Sequence, residues 1–169
     1  MELKGKKVLV FGAGKSGIGA ADLLGAVGAI PVIYDGKADL DKESVIHKTS
    51  GKYELLVYAG ELPEEVVASL DLVVLSPGVP TDLPLVKSFY EKGLPVWGEV
   101  ELAYRTGKGE VLAITGTNGK TTTTALLGKI MKDARPSVFV VGNIGTPYTS
   151  KALEMKPNSV TVAEISSFQ

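Results

Sequence analysis

The residues best suited to chemistry run from Ala113 to Thr122, Ala-Ile-Thr-Gly-Thr-Asn-Gly-Lys-Thr-Thr. An apolar run, Val111 to Ile114, ends in a glycine turn, and a lysine with paired threonines opens a segment of helical pattern. That order suits a phosphate cradle. Glycines let backbone N–H groups approach phosphate oxygens closely, and a helix N-terminus adds partial positive charge. Lys120 can reach terminal phosphates, and the Thr121 hydroxyl can hold Mg²⁺. Gly116, Thr117, Asn118, Gly119, Lys120, Thr121 and Thr122 are therefore candidate nucleoside triphosphate residues. The loop is shorter than G-x-x-x-x-G-K-[ST], which needs a glycine where Ile114 stands. Thr121 to Thr124 place four β-branched residues at a helix start, against propensity. Hydroxyls near phosphate and metal account for at least the first two. The alternative is a glycine turn with an exposed lysine.

A second constellation precedes it. Gly12-Ala13-Gly14-Lys15-Ser16-Gly17 is G-x-G-x-x-G directly after an apolar run, and Asp35 follows Gly17 by 18 positions. With strand, helix and acid in that order this is the dinucleotide-binding fingerprint. Alone it suggests an NAD-dependent dehydrogenase with Asp35 on the ribose. The alternative is a tight strand-to-helix turn, with Asp35-Gly36 as plain turn chemistry. Ser76-Pro77-Gly78 ends another apolar run, and so belongs at the same sheet edge as the glycine loop. A nucleotide-type pocket followed by a triphosphate cradle points away from a plain dehydrogenase. It suggests a nucleotide-linked substrate on one domain and ATP on the next.

The elements that must position these loops are legible as short apolar runs between helical patterns. Strands are expected at Val8 to Phe11, Ile30 to Tyr34, Glu54 to Tyr58, Asp71 to Leu75 and Pro95 to Trp97. Helices are expected at about Ser16 to Val27, Pro63 to Leu70, Leu85 to Lys92 and Glu99 to Tyr104. The alternation predicts an α/β fold: a Rossmann-like parallel-sheet domain over 1–106, then a truncated P-loop-type α/β unit over 107–169. The second unit reads as strand Val111 to Ile114, helix Thr121 to Lys132, strand Val138 to Val141, a short helix to about Met155 and strand Val160 to Ile165. Three strands make a poor free-standing sheet. The apolar faces of Val111 to Ile114 and Val160 to Ile165 are thus expected to lack partners, with an open edge that self-association would cover.

Composition narrows the class. The chain has 169 residues, a net charge of −1 and no cysteine. Nothing in the charge favours nucleic acid or an anionic membrane. Disulfides and thiolate metal sites are excluded. No stretch approaches the roughly 20 apolar residues of a membrane span, and the first apolar run is too short for a signal peptide. A cytoplasmic location fits. The one histidine, His47, lies in a polar stretch and reads as an exposed surface residue.

Taken together these motifs resemble the Mur ligases, ATP-dependent amide-bond ligases of bacterial cell-wall precursor assembly. The match runs through Gly12 to Gly17, Asp35, Ser76-Pro77-Gly78-Val79, Gly98-Glu99-Val100-Glu101-Leu102, Thr115 to Thr122, Gly142-Asn143-Ile144-Gly145 and Glu164-Ile165-Ser166-Ser167-Phe168-Gln169. The short phosphate loop is the Mur-type variant, and the last hexapeptide is most similar to the D-glutamate-adding branch. The resemblance implies that Ser16 and Gly17 contact a UDP diphosphate, that Asp35 holds the uracil and that Gly78 lines that pocket. It implies that Lys120 binds ATP phosphates, that Thr121 and Glu164 ligate Mg²⁺, and that Asn143, Ser166 and Gln169 touch the muramoyl-alanine part. Lys120 and Glu164 are then the catalytic pair. The implied partners are small molecules, UDP-N-acetylmuramoyl-L-alanine, D-glutamate and ATP, handled by a monomeric parent. The implied chain is a first domain plus part of a second, not competent alone. A stand-alone nucleotide-binding module is the remaining alternative.

Overall fold

The computed structural model describes residues 2–142 and 145–166. Apolar runs with almost no polar interruption become the inner strands of a parallel sheet, as expected of strands covered on both faces. In the first unit these are β1 (Lys7–Phe11), β2 (Ile30–Asp35), β3 (Leu56–Ala59), β4 (Leu72–Leu75) and β5 (Val96–Gly98), ordered β3-β2-β1-β4-β5 and all parallel. Alternation sorts them by face. Leu9, Phe11, Val32, Tyr34, Val73 and Leu75 form one buried cluster with Val66, Val67 and Leu70 around α3 (Glu64–Ala68) and Val86 and Phe89 of α4 (Pro84–Glu91). Val8, Val10, Ile33, Leu72 and Val74 carry the opposite parity and are fully buried. Helix α1 (Lys15–Ala26), outside that cluster, brings buried Ala20, Ala21, Leu23 and Leu24.

The apolar pattern gives no sign of helix α2 (Lys42–Lys48), because it buries only Val45. Its signal is at the N-cap, where the Asp41 carboxylate accepts the Ser44 N–H at 3.0 Å. His47 lies on it, exposed. The segment that follows is pinned to α1: Asp22 Oδ1 accepts both the Ser50 N–H and the Tyr53 hydroxyl, each at 2.8 Å. A Cβ at Gly25 would come 2.2 Å from the Tyr53 ring. The ring therefore lies directly against that glycine.

The chain divides into compact units of residues 1–99 and 100–169, ahead of the boundary expected after 106. The shift reflects α5 (Glu99–Thr106). Its end closes on the second unit, where a Cβ at Gly107 would lie 3.2 Å from Met155 Sδ. The second unit continues with β6 (Glu110–Ile114), α6 (Lys120–Ala134), β7 (Val138–Gly142), two 3₁₀ turns (Tyr148–Ser150 and Ala152–Glu154) and β8 (Val160–Glu164). The 3₁₀ turns stand where one short helix is expected from the sequence. The sheet is parallel with order β6-β8-β7.

That order corrects one expectation. The apolar face of Val160–Glu164 does not lack partners: this is the central strand, buried at every residue. The half-exposed strands are β6 and β7. Helix α6 lies close to β7 because position 128 is glycine; a Cβ there would meet a Val140 methyl at 2.5 Å. The same helix leaves Leu126 59% and Ile130 53% exposed.

Candidate functional site

In the second unit the site grows from two neighbouring strand ends. Ile114 pairs with Glu164, so the loop after β6 and the carboxylate ending β8 leave the same sheet edge one strand spacing apart, about 4.8 Å. The loop turns through Gly116 (φ +146°) and Gly119 (φ +79°), which any side chain would strain. Gly119 is also the N-cap of α6 and supplies no side-chain cap. The first-turn N–H groups of a 15-residue helix thus face the loop with the positive end of the helix dipole behind them. The Lys120 ammonium folds back and donates to the carbonyls of Gly116 at 2.6 Å and Thr117 at 3.4 Å.

Thr117, Asn118, Gly119, Lys120, Thr121, Thr122 and Glu164 line one open cleft of about 460 Å³. Gly116 shapes the loop without lining the cleft. Glu164 is 3% exposed, and what it shows lines that open cleft, where its carboxylate could meet a cation. Among the described residues no group of three or more His, Cys, Asp or Glu side chains could hold a metal. One carboxylate and one hydroxyl are nevertheless the donor set Mg²⁺ takes when phosphates and waters complete its shell. Glu164 and Thr121 fit that group. Of the four threonines, Thr121 and Thr122 face the cleft, Thr123 is exposed, and Thr124 is buried with its hydroxyl unpartnered.

The first unit builds a different edge. Its strand order is the first five strands of the dinucleotide-binding arrangement, whose crevice opens where the order reverses, between β1 and β4. The loops ending those strands meet there: a Cβ at Gly12 (φ +109°) would sit 2.9 Å from the Ser76 side chain. The three glycines divide the work. Gly12 makes the turn. Gly17 is buried, and a Cβ there would lie 1.8 Å from the Gly12 carbonyl oxygen, so its role is to let α1 close on β1. Gly14 is exposed with nothing near a Cβ, and caps α1 without a side chain. It is the open face of the loop, with Ser16 beside it. Gly78 is likewise exposed and open.

Asp35 does something the motif alone does not reveal. Its Oδ2 accepts the Ala13 N–H at 3.0 Å and its Oδ1 the Lys37 N–H at 3.1 Å. The carboxylate ties the end of β2 to the glycine loop. Two of its roughly four lone-pair directions remain for a ligand. Beside it, burial and then the Asp35 charge push the Tyr34 phenol above its ordinary range, and its hydroxyl donates to the Gly60 carbonyl at 3.1 Å. Ser166 lies just beyond β8, half-buried. Asn143 and Gln169 lie outside the described residues.

Sequence comparison decides the family. Residues 6–98 match the Mur ligase MurD-like, N-terminal domain, and residues 114–169 match the Mur ligase middle domain. The chain belongs to the Mur ligases. This Mur ligase chain is 53% identical over 170 residues to the UDP-N-acetylmuramoylalanine–D-glutamate ligase of Lachnospira eligens. It is 54% identical over 169 residues to that of Lachnoclostridium phytofermentans. All of the chain is covered in both cases, and 37% of each relative. Among solved structures, it superposes on a pseudomurein peptide ligase type C from Methanothermus fervidus with a TM-score of 0.54 at 21% identity, covering 96% of this chain and 33% of that one. UDP-N-acetylmuramate-alanine ligase MurC from Thermotoga maritima gives 0.53 at 23%, covering 95% and 37%. These two likenesses establish the fold of the Mur ligase chain and nothing finer. Among the described residues no helix is long and apolar enough to cross a membrane.

Proposed function

We propose that this chain is the nucleotide-handling part of a cytoplasmic ligase that joins D-glutamate to UDP-N-acetylmuramoyl-L-alanine with hydrolysis of ATP to ADP and phosphate. The observation that carries the reading is the one open cleft at a helix N-terminus that Lys120, Thr121 and Glu164 all line. The names of the relatives supply the substrate class. The first unit would hold the UDP portion at the β1/β4 crevice, with Ser16 and Gly17's loop at the diphosphate, Asp35 at the uracil and Gly78 at the wall. Asn143, Ser166 and Gln169 would meet the muramoyl-alanine portion.

In the second unit the loop N–H groups would cradle the ATP phosphates, and Lys120 would leave the Gly116 and Thr117 carbonyls for the terminal ones. Thr121 and Glu164 would hold Mg²⁺, which when bound supplies charge neutralisation at the transferring phosphoryl group. The alanyl carboxylate attacks the γ-phosphorus and ADP leaves. The acyl phosphate is then attacked at carbon by the D-glutamate amine, which loses a proton, and phosphate leaves. No protein nucleophile is required. The protein's part is positioning and electrostatic stabilisation.

The chain spans 37% of the length of these relatives, and we infer that the 169 residues alone perform no ligation. The test is phosphate release together with mass detection of the D-glutamyl product, with ATP, Mg²⁺, D-glutamate and the UDP-linked substrate supplied. Turnover above the enzyme-free control, lost in Lys120→Ala, would show the chain to be competent. For binding, Lys120→Ala should weaken ATP by about 10- to 150-fold, the loss of one charged hydrogen-bonding group, and leave UDP binding unchanged. Equal ATP affinity in the variant would remove the cleft from the proposal.

A further inference from the structure

Glu164 can act on a cation only if the end of β8 is correctly placed against the loop after β6. That placement has an identifiable cause outside the phosphate loop. Gly142 ends β7 and pairs with Glu164 across the parallel ladder. Its φ of +139° turns the position a side chain would occupy away from the usual up-or-down alternation and into the neighbouring strand. A Cβ there would lie 2.2 Å from the Glu164 carbonyl oxygen, 2.7 Å from its nitrogen and 2.9 Å from its carbonyl carbon. These are backbone atoms, and no rotamer change relieves such a contact. On the other side, the residue after Glu164 is held to β6, where the Ile165 N–H donates to the Ile114 carbonyl at 2.9 Å. The end of β8 is thus gripped between β6 and a backbone that only glycine can bring so near. Gly142 is itself held, donating its N–H to the Thr146 carbonyl at 3.1 Å.

We infer that Gly142 is a positioning residue for the metal: its lack of a side chain seats Glu164 opposite Thr121. The inference rests on the proposed Mg²⁺–ATP reading of the cleft and extends it to a residue that lines no part of the cleft. Gly145, nearby in the same loop, is the internal control. It also has a positive φ, +88°, but no described atom lies within 4 Å of a Cβ there. Alanine at either position strains the backbone. Only at 142 does it push on Glu164.

The experiment compares ATP dissociation constants with and without Mg²⁺, by calorimetry on the whole 169-residue chain, for the parent, Gly142→Ala and Gly145→Ala. Mg²⁺ should tighten ATP binding by the parent and by Gly145→Ala. Gly142→Ala should lose about 10- to 100-fold of metal affinity, as displaced ligand supports usually do, while its metal-free ATP affinity stays at the parent value. In the Glu164→Gln background Gly142→Ala should change the Mg²⁺ ratio no further. Amide exchange at Ile165 should quicken in Gly142→Ala alone. A parental Mg²⁺ ratio and parental Ile165 exchange in Gly142→Ala would overturn the inference. A parent whose ATP affinity ignores Mg²⁺ would overturn the metal reading instead, and Ile165 exchange would then decide whether Gly142 seats the strand end. Should Gly142→Ala fail to fold, the unmutated chain supplies the test. Mg²⁺ added to the ATP complex should slow exchange at both Gly142 and Ile165, and unchanged rates at Gly142 would sink the proposal.

Discussion

The two halves of this molecule solve the same problem to different degrees of completion. Both place a glycine loop at the carboxyl edge of a parallel sheet and start a helix from it. In the first, the inner strands β1 and β4 hold fully buried valines and leucines whose neighbours cover both faces. In the second, only the central strand β8 reaches that state, and α6 shows Leu126 and Ile130 to water. The cleft of the second unit therefore needs few elements. Two adjacent parallel strands and one helix start bring Lys120, Thr121 and Glu164 together, whereas a sealed core needs more chain around it.

The largest effect that would sharpen this contrast is in the core. Leu24→Ala in α1 should cost about 2–5 kcal/mol, the usual range for a buried leucine, whereas Leu126→Ala in α6 should stay within about 0.5 kcal/mol. Urea unfolding of each variant measures both. A large, concentration-dependent loss for Leu126→Ala would show that a second copy covers that face, breaking the contrast. Next comes Asp35→Ala, which should weaken UDP binding by about 1.5–3 kcal/mol, the contribution of a charge-assisted hydrogen bond, with ATP unaffected. Titration with UDP checks it, and parental affinity would take Asp35 out of the site. Because the carboxylate also bonds the Ala13 N–H, Asp35→Asn should recover part of the loss.

Two smaller effects test the halves separately. Thr124 is 5% exposed with no partner for its hydroxyl. Thr124→Val keeps the shape and should stabilise the second unit by about 1 kcal/mol; a lower melting temperature would mean that the hydroxyl is used. In the first unit, the Lys6 ammonium and then the Lys7 N–H hold the Asp71 carboxyl below the usual range. Its pKa is lower folded than unfolded, so its contribution is complete above the ordinary carboxylate range. It is lost as pH falls through the folded value. The pair is exposed, so the effect is small. Asp71→Asn should flatten the acid limb of the stability–pH curve slightly, and an unchanged limb would assign that limb to other groups.

Much of this is legible in the sequence, and the rest is hidden for physical reasons. Apolar runs mark buried parallel strands plainly, so every strand is expected within a few residues of its place. Helix α2 escapes because its one buried side chain, Val45, gives no periodicity; only Asp41 and Ser44 announce it. The central place of β8 escapes because strand order in a parallel sheet is set by crossovers and not by any local pattern. For the same reason the motif can nominate Glu164 and the phosphate loop but not show them on neighbouring strands. The grip of the Asp35 carboxylate on the Ala13 N–H and the close approach of Gly142 to Glu164 join residues far apart in the sequence, and are invisible until the chain is folded.

The lysine of the phosphate loop has one more consequence. Its ammonium rests on the carbonyls of Gly116 and Thr117. An incoming anion meets the third N–H of that ammonium, and gains the whole group only by displacing those two oxygens. A small singly charged ion, with few contacts to offer in return, leaves the lysine where it is. A polyphosphate, whose several oxygens would also reach the loop N–H groups, would more than replace what is given up. On the ATP reading proposed above, the resting contact would act as a threshold, favouring polyphosphates over simple salts before any part of the base is read.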